Sequence, residues 1–538
     1  MKPQCLQLHN RQSRLTATST NAFSIIIILV LMLAPRPVLS RISSSTKHLD
    51  RYLNARLKKE KIQPSKVTTD EAFLRRIHLD LTGKIPTPEE VSRFSNGGRN
   101  RRENKIDQLL NSEAYLDYWS RIWTDWLIGR DQSNQQNVRR GLRNWVYKEI
   151  ESNTSYDQFV KKLITSTGDI RQNGAGYYIR RYNASPIDLT SHLSRLFLGL
   201  PMQCAQCHDH KTEAWYQEDY YSLAAFLTNL RSEAIYEKDQ RGNERVVAYH
   251  ITDVPDGSIR IPGKSKPSQP RLLDGSEYNG SPLQRRVALA NWMTNAKNPY
   301  FSQAIVNRIW AQLMGKGFVE PLDGFGEEHP PSHPKLLDWL AEDFEIHGYD
   351  LKHLMRTILN TDAYQRTSKT NKSNKNDDRF FSHAYIKPLS AEQFFYSMLE
   401  ATGFERLQKR RDKGRLESMK RDYLRRFLYL LDNGEMEEIE AFNGTVPQAL
   451  MMINGSLVND SADHKTRGSY LNYILKKNRR TMDRVNDIYL TVLSRQPTGK
   501  EIRYFDQYLQ KSLYRDKDLA YEDLYWSLLN SAEFSLNH

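Results

Sequence analysis

Cys204, Cys207 and His208 are the residues whose types and spacing most narrowly define a chemistry. They stand as Cys204-Ala205-Gln206-Cys207-His208, two thiols three residues apart with an imidazole directly behind the second. Covalent haem c attachment needs that set: two thiols spaced to meet the two vinyl groups of one porphyrin, and an adjacent histidine that can turn onto the iron as proximal ligand. Three other uses fit the same residues. The cysteines can close a short disulfide or act as a redox pair, which an oxidising compartment permits. With His208 as a ligand, and His210 joining it, they can hold a non-haem metal ion, although ligands this close in sequence rarely close one tetrahedron. The segment can also be merely structural.

The compartment bears on the choice. A basic stretch (Lys2, Arg11, Arg14) precedes the apolar run Ala22 to Ala34 and then Val38-Leu39-Ser40, the pattern of an export leader cleaved after Ser40. That apolar run is short of the roughly 20 residues that span a bilayer, so no stable membrane span is expected after cleavage. Cys5 lies upstream of the apolar run, where a lipid-modified cysteine does not sit. Export places the chain in a periplasmic or extracellular setting, where c-type haem is attached in bacteria. Removing residues 1–40 leaves Cys204 and Cys207 as the remaining cysteines of the three and keeps the chain, +14 overall, basic. A basic exported surface suits anionic polysaccharide, envelope lipid or an acidic protein better than nucleic acid, so the partners expected are an anionic envelope polymer or a redox partner; the blander use of the charge is to keep a soluble protein apart from its copies.

Long helices are expected to position these residues. Helix-start signals recur as a hydroxyl residue followed three positions on by Glu or Gln: Thr87 with Glu90, Ser390 with Gln393, Thr498 with Glu501. Apolar residues then fall at helical spacing, as in Leu336, Leu337, Leu340, Phe344 and again in Leu351, Leu354, Met355, Ile358. Around the motif, Ser191 to Gly199 reads as a helix ending at glycine and Asp219 to Leu227 as another beginning, so the motif bridges two helices. Trp215, Tyr216, Tyr220, Tyr221 and Phe226 are the aromatics available to wall a porphyrin, although such spacing also describes ordinary core. His192, Met314 and Met355 are the distant residues with ligand chemistry for a sixth position.

The β-branched and aromatic stretch Arg245 to Ile251, followed by Pro255, Gly257, Pro262, Gly263, Pro267 and Pro270, predicts a small strand-and-loop insert over 233–280. The reading is therefore mainly α, a multi-helical two-part architecture: leader 1–40, helical region 41–232 carrying the motif, insert 233–280, helical region 281–538. Thr367 to Asp378 reads as a polar break, and the basic stretch Lys409 to Arg426 as a solvated helix face or docking surface.

A heptapeptide recurs without a fixed period, Leu109 to Tyr115, Ile358 to Tyr364 and Leu528 to Phe534. Each copy predicts a helix ending at Asn, a residue that tolerates left-handed geometry, with a Ser or Thr cap for the next turn and an aromatic packing back. Arg121-Ile122-Trp123 and Arg308-Ile309-Trp310 likewise sit in helical patterns that run out at Gly129 and Gly315.

Two further places gather polar chemistry. Asp323 with Phe325 to Pro334 collects carboxylates and histidines in a glycine- and proline-bounded loop, which can bind a cation or contribute acid/base groups, or else, the favoured reading, has Ser332 capping the next helix while the acids stay in solvent. Asp80, in His78-Leu79-Asp80-Leu81-Thr82-Gly83, can likewise be catalytic, but reads as tying down a turn. No phosphate loop, nucleophile elbow or zinc-protease helix motif is present, so nothing points to a hydrolase.

Taken together these segments resemble a fused pair of families of unknown function found in secreted planctomycete proteins, a cytochrome-associated secreted family followed by the planctomycete secreted domain. Phe73 to Gly83, Tyr118-Trp119, Trp123, Cys204 to His210 and Ala224-Ala225-Phe226 carry the first resemblance, over roughly 47–232. Val306 to Trp310, Pro331 to Pro334, Leu336-Leu337-Asp338, Pro388-Leu389-Ser390, Pro447 to Leu450 and Leu529-Asn530-Ser531 carry the second, over roughly 281–538. The resemblance implies an exported protein with these regions in this order, and the Cys-Ala-Gln-Cys-His stretch is why members are described as cytochrome-like. It supplies no reaction. This chain has Lys211 where the family pattern has proline, which leaves the three attachment residues intact. The expectation carried forward is an exported protein with a covalent haem c site, active in electron transfer or redox sensing. Its rival is a non-haem envelope protein that binds or processes a carbohydrate or protein, with the Cys/His cluster serving a metal or a disulfide.

Overall fold

The computed structural model describes residues 39–130, 136–209, 213–404, 418, 420, 424 and 462–538. The leader up to residue 38, His210, Lys211 and nearly all of the basic stretch 409–426 lie outside the described residues. Helices dominate, from Leu39–Lys59 to Asp518–Leu529, so the chain is mainly α. Among the described residues no helix is long and apolar enough to cross a membrane.

The three helix-start signals operate as reciprocal capping boxes. Thr87 Oγ1 accepts the Glu90 N–H at 3.2 Å while Glu90 Oε2 accepts the Thr87 N–H at 3.1 Å. Ser390 with Gln393 and Thr498 with Glu501 repeat the exchange, so each helix begins with two backbone donors satisfied that have no partner within the helix.

The recurring heptapeptide is one hydrogen-bonded unit used three times. Asn111, Asn360 and Asn530 each come directly after the last helical residue, and their side-chain amides reach back to the carbonyls of Asp107, Arg356 and Trp526 at 2.9, 2.8 and 2.8 Å. The next residue then caps the aromatic: Ser112, Thr361 and Ser531 accept the N–H groups of Tyr115, Tyr364 and Phe534 at 3.2, 3.1 and 3.2 Å. The left-handed geometry that asparagine tolerates is not used, because the asparagines hold φ of −106°, −86° and −95°. A side-chain donor to the carbonyl four residues back satisfies part of the helix end, so the backbone has no need to turn left-handed there. Helices Glu113–Ile128 and Pro299–Met314, which carry the two Arg-Ile-Trp triplets, end at Gly129 and Gly315 as expected.

The strand insert begins earlier than its sequence signal. Strands β2 (Leu230–Lys238) and β3 (Glu244–Asp253) form an antiparallel hairpin, and the two-residue β1 (Gly168–Asp169) pairs with β3 to give the order β1-β3-β2. Far along the chain, β4 (Lys387–Pro388) pairs with β5 (Leu536–Asn537). The polar run Thr367 to Asp378 is a folded loop, in which Asn374 is fully buried and donates to Ser65 Oγ at 2.9 Å.

Two cores organise the unit Ser45–His538. The first takes buried side chains from Leu49 through Phe381 together with Leu490; the second takes Leu389 through Phe534 together with Leu79 and Ile85. Helix Asp70–Thr82 serves both, sending Leu74, Ile77 and Leu81 into the first and Leu79 into the second. Its Arg75, Arg76 and Asp80 are buried as well, and they are tolerated because each is hydrogen-bonded. Arg75 donates to the carbonyls of Val492 and Phe534, and Arg76 to those of Tyr364 and Arg366. Asp80 does not tie down a local turn: it accepts from Tyr364 Oη at 2.8 Å, Lys387 Nζ at 2.6 Å and Asn537 Nδ2 at 2.9 Å. Burial lowers the Lys387 ammonium from its ordinary range, with Asp80 acting in the opposite direction.

Candidate functional site

The motif segment is held at both ends by ordinary helix chemistry. Upstream, helix Pro186–Leu198 starts at Ser185, whose side chain accepts the Asp188 N–H, with proline in the first turn where its missing donor costs nothing. It stops at Gly199, whose φ of +69° suits glycine, with its N–H bonded to the Arg195 carbonyl at 3.1 Å and the Leu200 N–H to that of Ser194 at 3.0 Å. A 3₁₀ turn comes next over Met202–Gln206, and helix Gln217–Ala224 begins beyond it. The motif thus bridges two helices as expected, the second starting slightly earlier than its sequence signal.

Within the bridge, side chains sort by face. Leu200, Met202 and Ala205 are fully buried and anchor it to the first core. Cys204, Cys207 and His208 face outward and are exposed, and the two thiols are free. The His208 Nδ1–H donates to the Asp209 carbonyl at 2.7 Å. That bond fixes the tautomer of the neutral ring and leaves the Nε2 lone pair unprotonated, the arrangement in which an imidazole serves as a metal ligand. Asp209 in turn accepts the Gln217 N–H at 2.8 Å, and Gln217 Nε2 donates to the Gln206 carbonyl at 3.1 Å, so the helix after the motif pins it from below.

These residues fit covalent haem. Two free outward thiols stand on one turn, and an imidazole beside them presents an available ring nitrogen. A disulfide is not present between them. The surrounding aromatics divide between wall and core. Tyr216 is 57% exposed, whereas Phe226 and Tyr220 are fully buried, with Tyr220 Oη bonded to the Ile187 carbonyl at 2.9 Å. Burial raises the Tyr220 phenol to about 12 and raises Tyr221 as well, and the neighbouring Cys207 adds to both shifts. Trp215 packs edge-on to Tyr300.

The distant residues with ligand chemistry are all engaged in packing. His192 is buried with both ring nitrogens used, Nδ1 against Tyr178 Oη at 2.9 Å and Nε2 against the Trp126 carbonyl at 3.2 Å. Met314 is buried in the first core, and the Met355 sulfur is 3.5 Å from Tyr115 Oη. His210 lies outside the described residues.

The acidic and histidine-rich loop, which the sequence offers as a separate place, packs against the motif segment. The Phe325 N–H donates to the Gly199 carbonyl at 3.0 Å. Past the motif, the Glu213 carboxylate accepts the N–H groups of Glu327 at 3.2 Å and Glu328 at 3.4 Å. Two expectations for this loop are corrected. Asp323 does not stay in solvent but is buried between Arg308, its hydrogen-bond donor, and Arg195, whose Nη1 is 3.5 Å away. Ser332 does not cap helix Pro334–Ile346, because its hydroxyl is taken by His333 Nδ1 at 3.0 Å and the cap position is occupied by His333 without a side-chain bond. His333 itself is buried against Phe318, Phe380 and Phe381, and burial lowers it to about 4.

Among the described residues, two groupings of metal-ligating residue types were not singled out from the sequence. Asp343, His347 and His353 meet where helix Pro334–Ile346 turns into Leu351–Leu359. The Asp343 carboxylate takes His353 Nε2 at 2.9 Å and the Ser45 hydroxyl at 2.8 Å, while the two imidazoles stack at 3.8 Å and 15°. Parallel rings carry parallel in-plane lone pairs that do not converge on one ion, so this arrangement joins two helices. The Asp343-x₃-His347 spacing was its only local signal. Asp463, His464 and Glu522 form the second group, with Asp516 3.1 Å from His464 Nε2; its members lie too far apart in sequence to be grouped by spacing.

Residues 48–232 match the family model PSCyt2, a protein of unknown function (DUF1549), and residues 285–509 match PSD1, a protein of unknown function (DUF1553). No curated protein and no solved structure matches the chain.

Proposed function

We propose, for a chain that belongs to the DUF1549 and DUF1553 families in tandem, that it is an exported protein carrying covalent haem c on Cys204 and Cys207 with His208 as proximal ligand, acting in electron transfer or redox sensing. The observation that carries the reading is local: two free, outward thiols on one short turn, beside an imidazole whose Nδ1 is committed to the Asp209 carbonyl. Bound haem supplies a one-electron iron couple. The chain supplies the rest. Cys204 and Cys207 would hold the haem covalently, His208 would offer Nε2 to its iron, and the Asp209 carbonyl orients the imidazole ring. Buried Met202 and Ala205 keep the turn in place beneath them.

Production in a host competent in haem c maturation tests this. A pyridine haemochrome spectrum of a thioether-linked haem and an intact mass carrying the haem increment are expected. A mature chain of unmodified mass with no haem absorbance overturns the reading, and metal analysis of the same sample then addresses the non-haem alternative.

A further inference from the structure

We infer that Glu213 is a positioning residue for the Cys204–His208 site, and that it acts by fastening the motif segment to a loop of the DUF1553 region. The inference rests on the haem reading of that site. The motif has to keep two sulfurs and one ring nitrogen in fixed relation to one flat ring, yet its reactive residues face away from the core. What holds the segment from outside is the loop Asp323–Glu328. At the near end, the Phe325 N–H is bonded to the Gly199 carbonyl, and a Cβ on Gly199 would stand 2.5 Å from the Phe325 ring. At the far end, the Glu213 carboxylate spans two consecutive N–H groups, those of Glu327 and Glu328.

The space around the far contact is closely matched to it. A Cβ on Gly326 would lie 2.2 Å from Glu213 Oε1, so the carboxylate occupies the space that any side chain there would need. Glu213 reaches into backbone whose own side chains are two further glutamates, and its carboxylate accepts the paired N–H donors there, a charge-assisted contact with defined geometry. The loop is in turn fixed by Asp323 between Arg195 and Arg308, and Arg195 lies on the helix that leads into the motif. Gly199 and Glu213 lie on either side of the attachment residues in sequence, and the same loop is bonded to both.

The test uses the full chain made under haem c maturation, with three variants. Glu213→Ala removes both acceptor atoms, Glu213→Gln keeps the shape and one acceptor, and Gly326→Ala displaces the carboxylate from the opposite side. Haem per folded chain, the midpoint potential and the electron paramagnetic resonance signature of the oxidised haem are read, with circular dichroism to select folded protein. Glu213→Ala and Gly326→Ala are expected to lower haem loading severalfold and to displace the potential in the same sense, with Glu213→Gln returning both toward wild type. Wild-type loading, potential and resonance signature in Glu213→Ala and Gly326→Ala overturn the inference while leaving the haem reading standing. A wild-type chain without haem overturns the haem reading and this inference with it. If Glu213→Ala does not fold, the Gly326→Ala and Glu213→Gln pair decides the matter in the same way.

Discussion

Asp80 offers the sharpest test of how this chain is held together. Its side chain is 2% exposed and accepts from Tyr364, Lys387 and Asn537, residues drawn from three distant parts of the sequence. Asp80→Ala leaves the Lys387 ammonium buried without its counter-charge, a change that costs about 3–5 kcal/mol in buried pairs. Part of that loss is offset here. Lys387 Nζ keeps the carbonyls of Gln312 at 3.1 Å and Leu313 at 2.8 Å, at the negative end of helix Pro299–Met314. Such a helix end is worth up to about 2 kcal/mol to a partly buried cation. The expected loss is therefore about 2–4 kcal/mol. Lys387→Met added to Asp80→Ala removes the stranded charge, so the double variant should lose less than the two single variants together, by about 1–3 kcal/mol. Urea unfolding of the full chain measures this, monitored by tryptophan fluorescence and by far-ultraviolet circular dichroism. Helix Asp70–Thr82 feeds both cores, so both signals should move. A loss below about 1 kcal/mol, the value of a surface pair, or strict additivity of the two substitutions would refute the buried-pair account.

Three further outcomes are expected. His208→Ala should keep the haem mass increment, because both thiols remain, but shift the visible haem bands, whereas Cys204→Ala combined with Cys207→Ala should lose the increment; an increment persisting without either thiol would contradict thioether attachment. Thr361→Ala should cost about 1 kcal/mol by leaving the Tyr364 N–H uncapped, and Ser531→Ala a similar amount at Phe534, since both copies use the same bond; equal urea midpoints for wild type and both variants would show that the repeated unit carries no cap energy. Burial, with Arg195 adding to it, lowers His192 from its ordinary 6.5 to about 3. The unfolded chain takes up that proton first as pH falls, so the folded state is disfavoured across the window from 6.5 to about 3, with a slope of up to about 1.4 kcal/mol per pH unit. The urea midpoint should fall less steeply on acidification in His192→Gln than in wild type, and parallel curves would rule the residue out as a contributor.

Much of the architecture was legible because it is written locally. Capping boxes, apolar periodicity and glycine stops concern residues within one or two turns of each other, and helices Pro88–Ser95, Ala391–Thr402 and Gly499–Lys511 start where Thr87, Ser390 and Thr498 predict. The repeated heptapeptide was legible as a unit, but its asparagine geometry was not, since the amide can serve the preceding turn without a change in the sign of φ. The motif residues and their bridging position could also be read in advance. Asp80 was misread because its neighbours suggest a turn, while its partners Tyr364, Lys387 and Asn537 are hundreds of residues away. The same limit hid the loop on the motif: nothing near Glu213 announces that Glu327 and Glu328 will donate to it.

The contacts that local reading missed share a direction. Asp80 belongs to the stretch matching DUF1549 and Lys387 to the stretch matching DUF1553, and Glu213 is likewise bonded to backbone from the second stretch. The first core does the same, drawing on residues from both stretches without a break at either family boundary. Buried ion pairs and paired N–H contacts demand partners at fixed positions, because a stranded charge or donor costs more than the bond returns. In this chain the stretch matching DUF1549 therefore draws partners for its buried Asp80, and for Glu213 beyond the Cys204–His208 turn, from the stretch matching DUF1553.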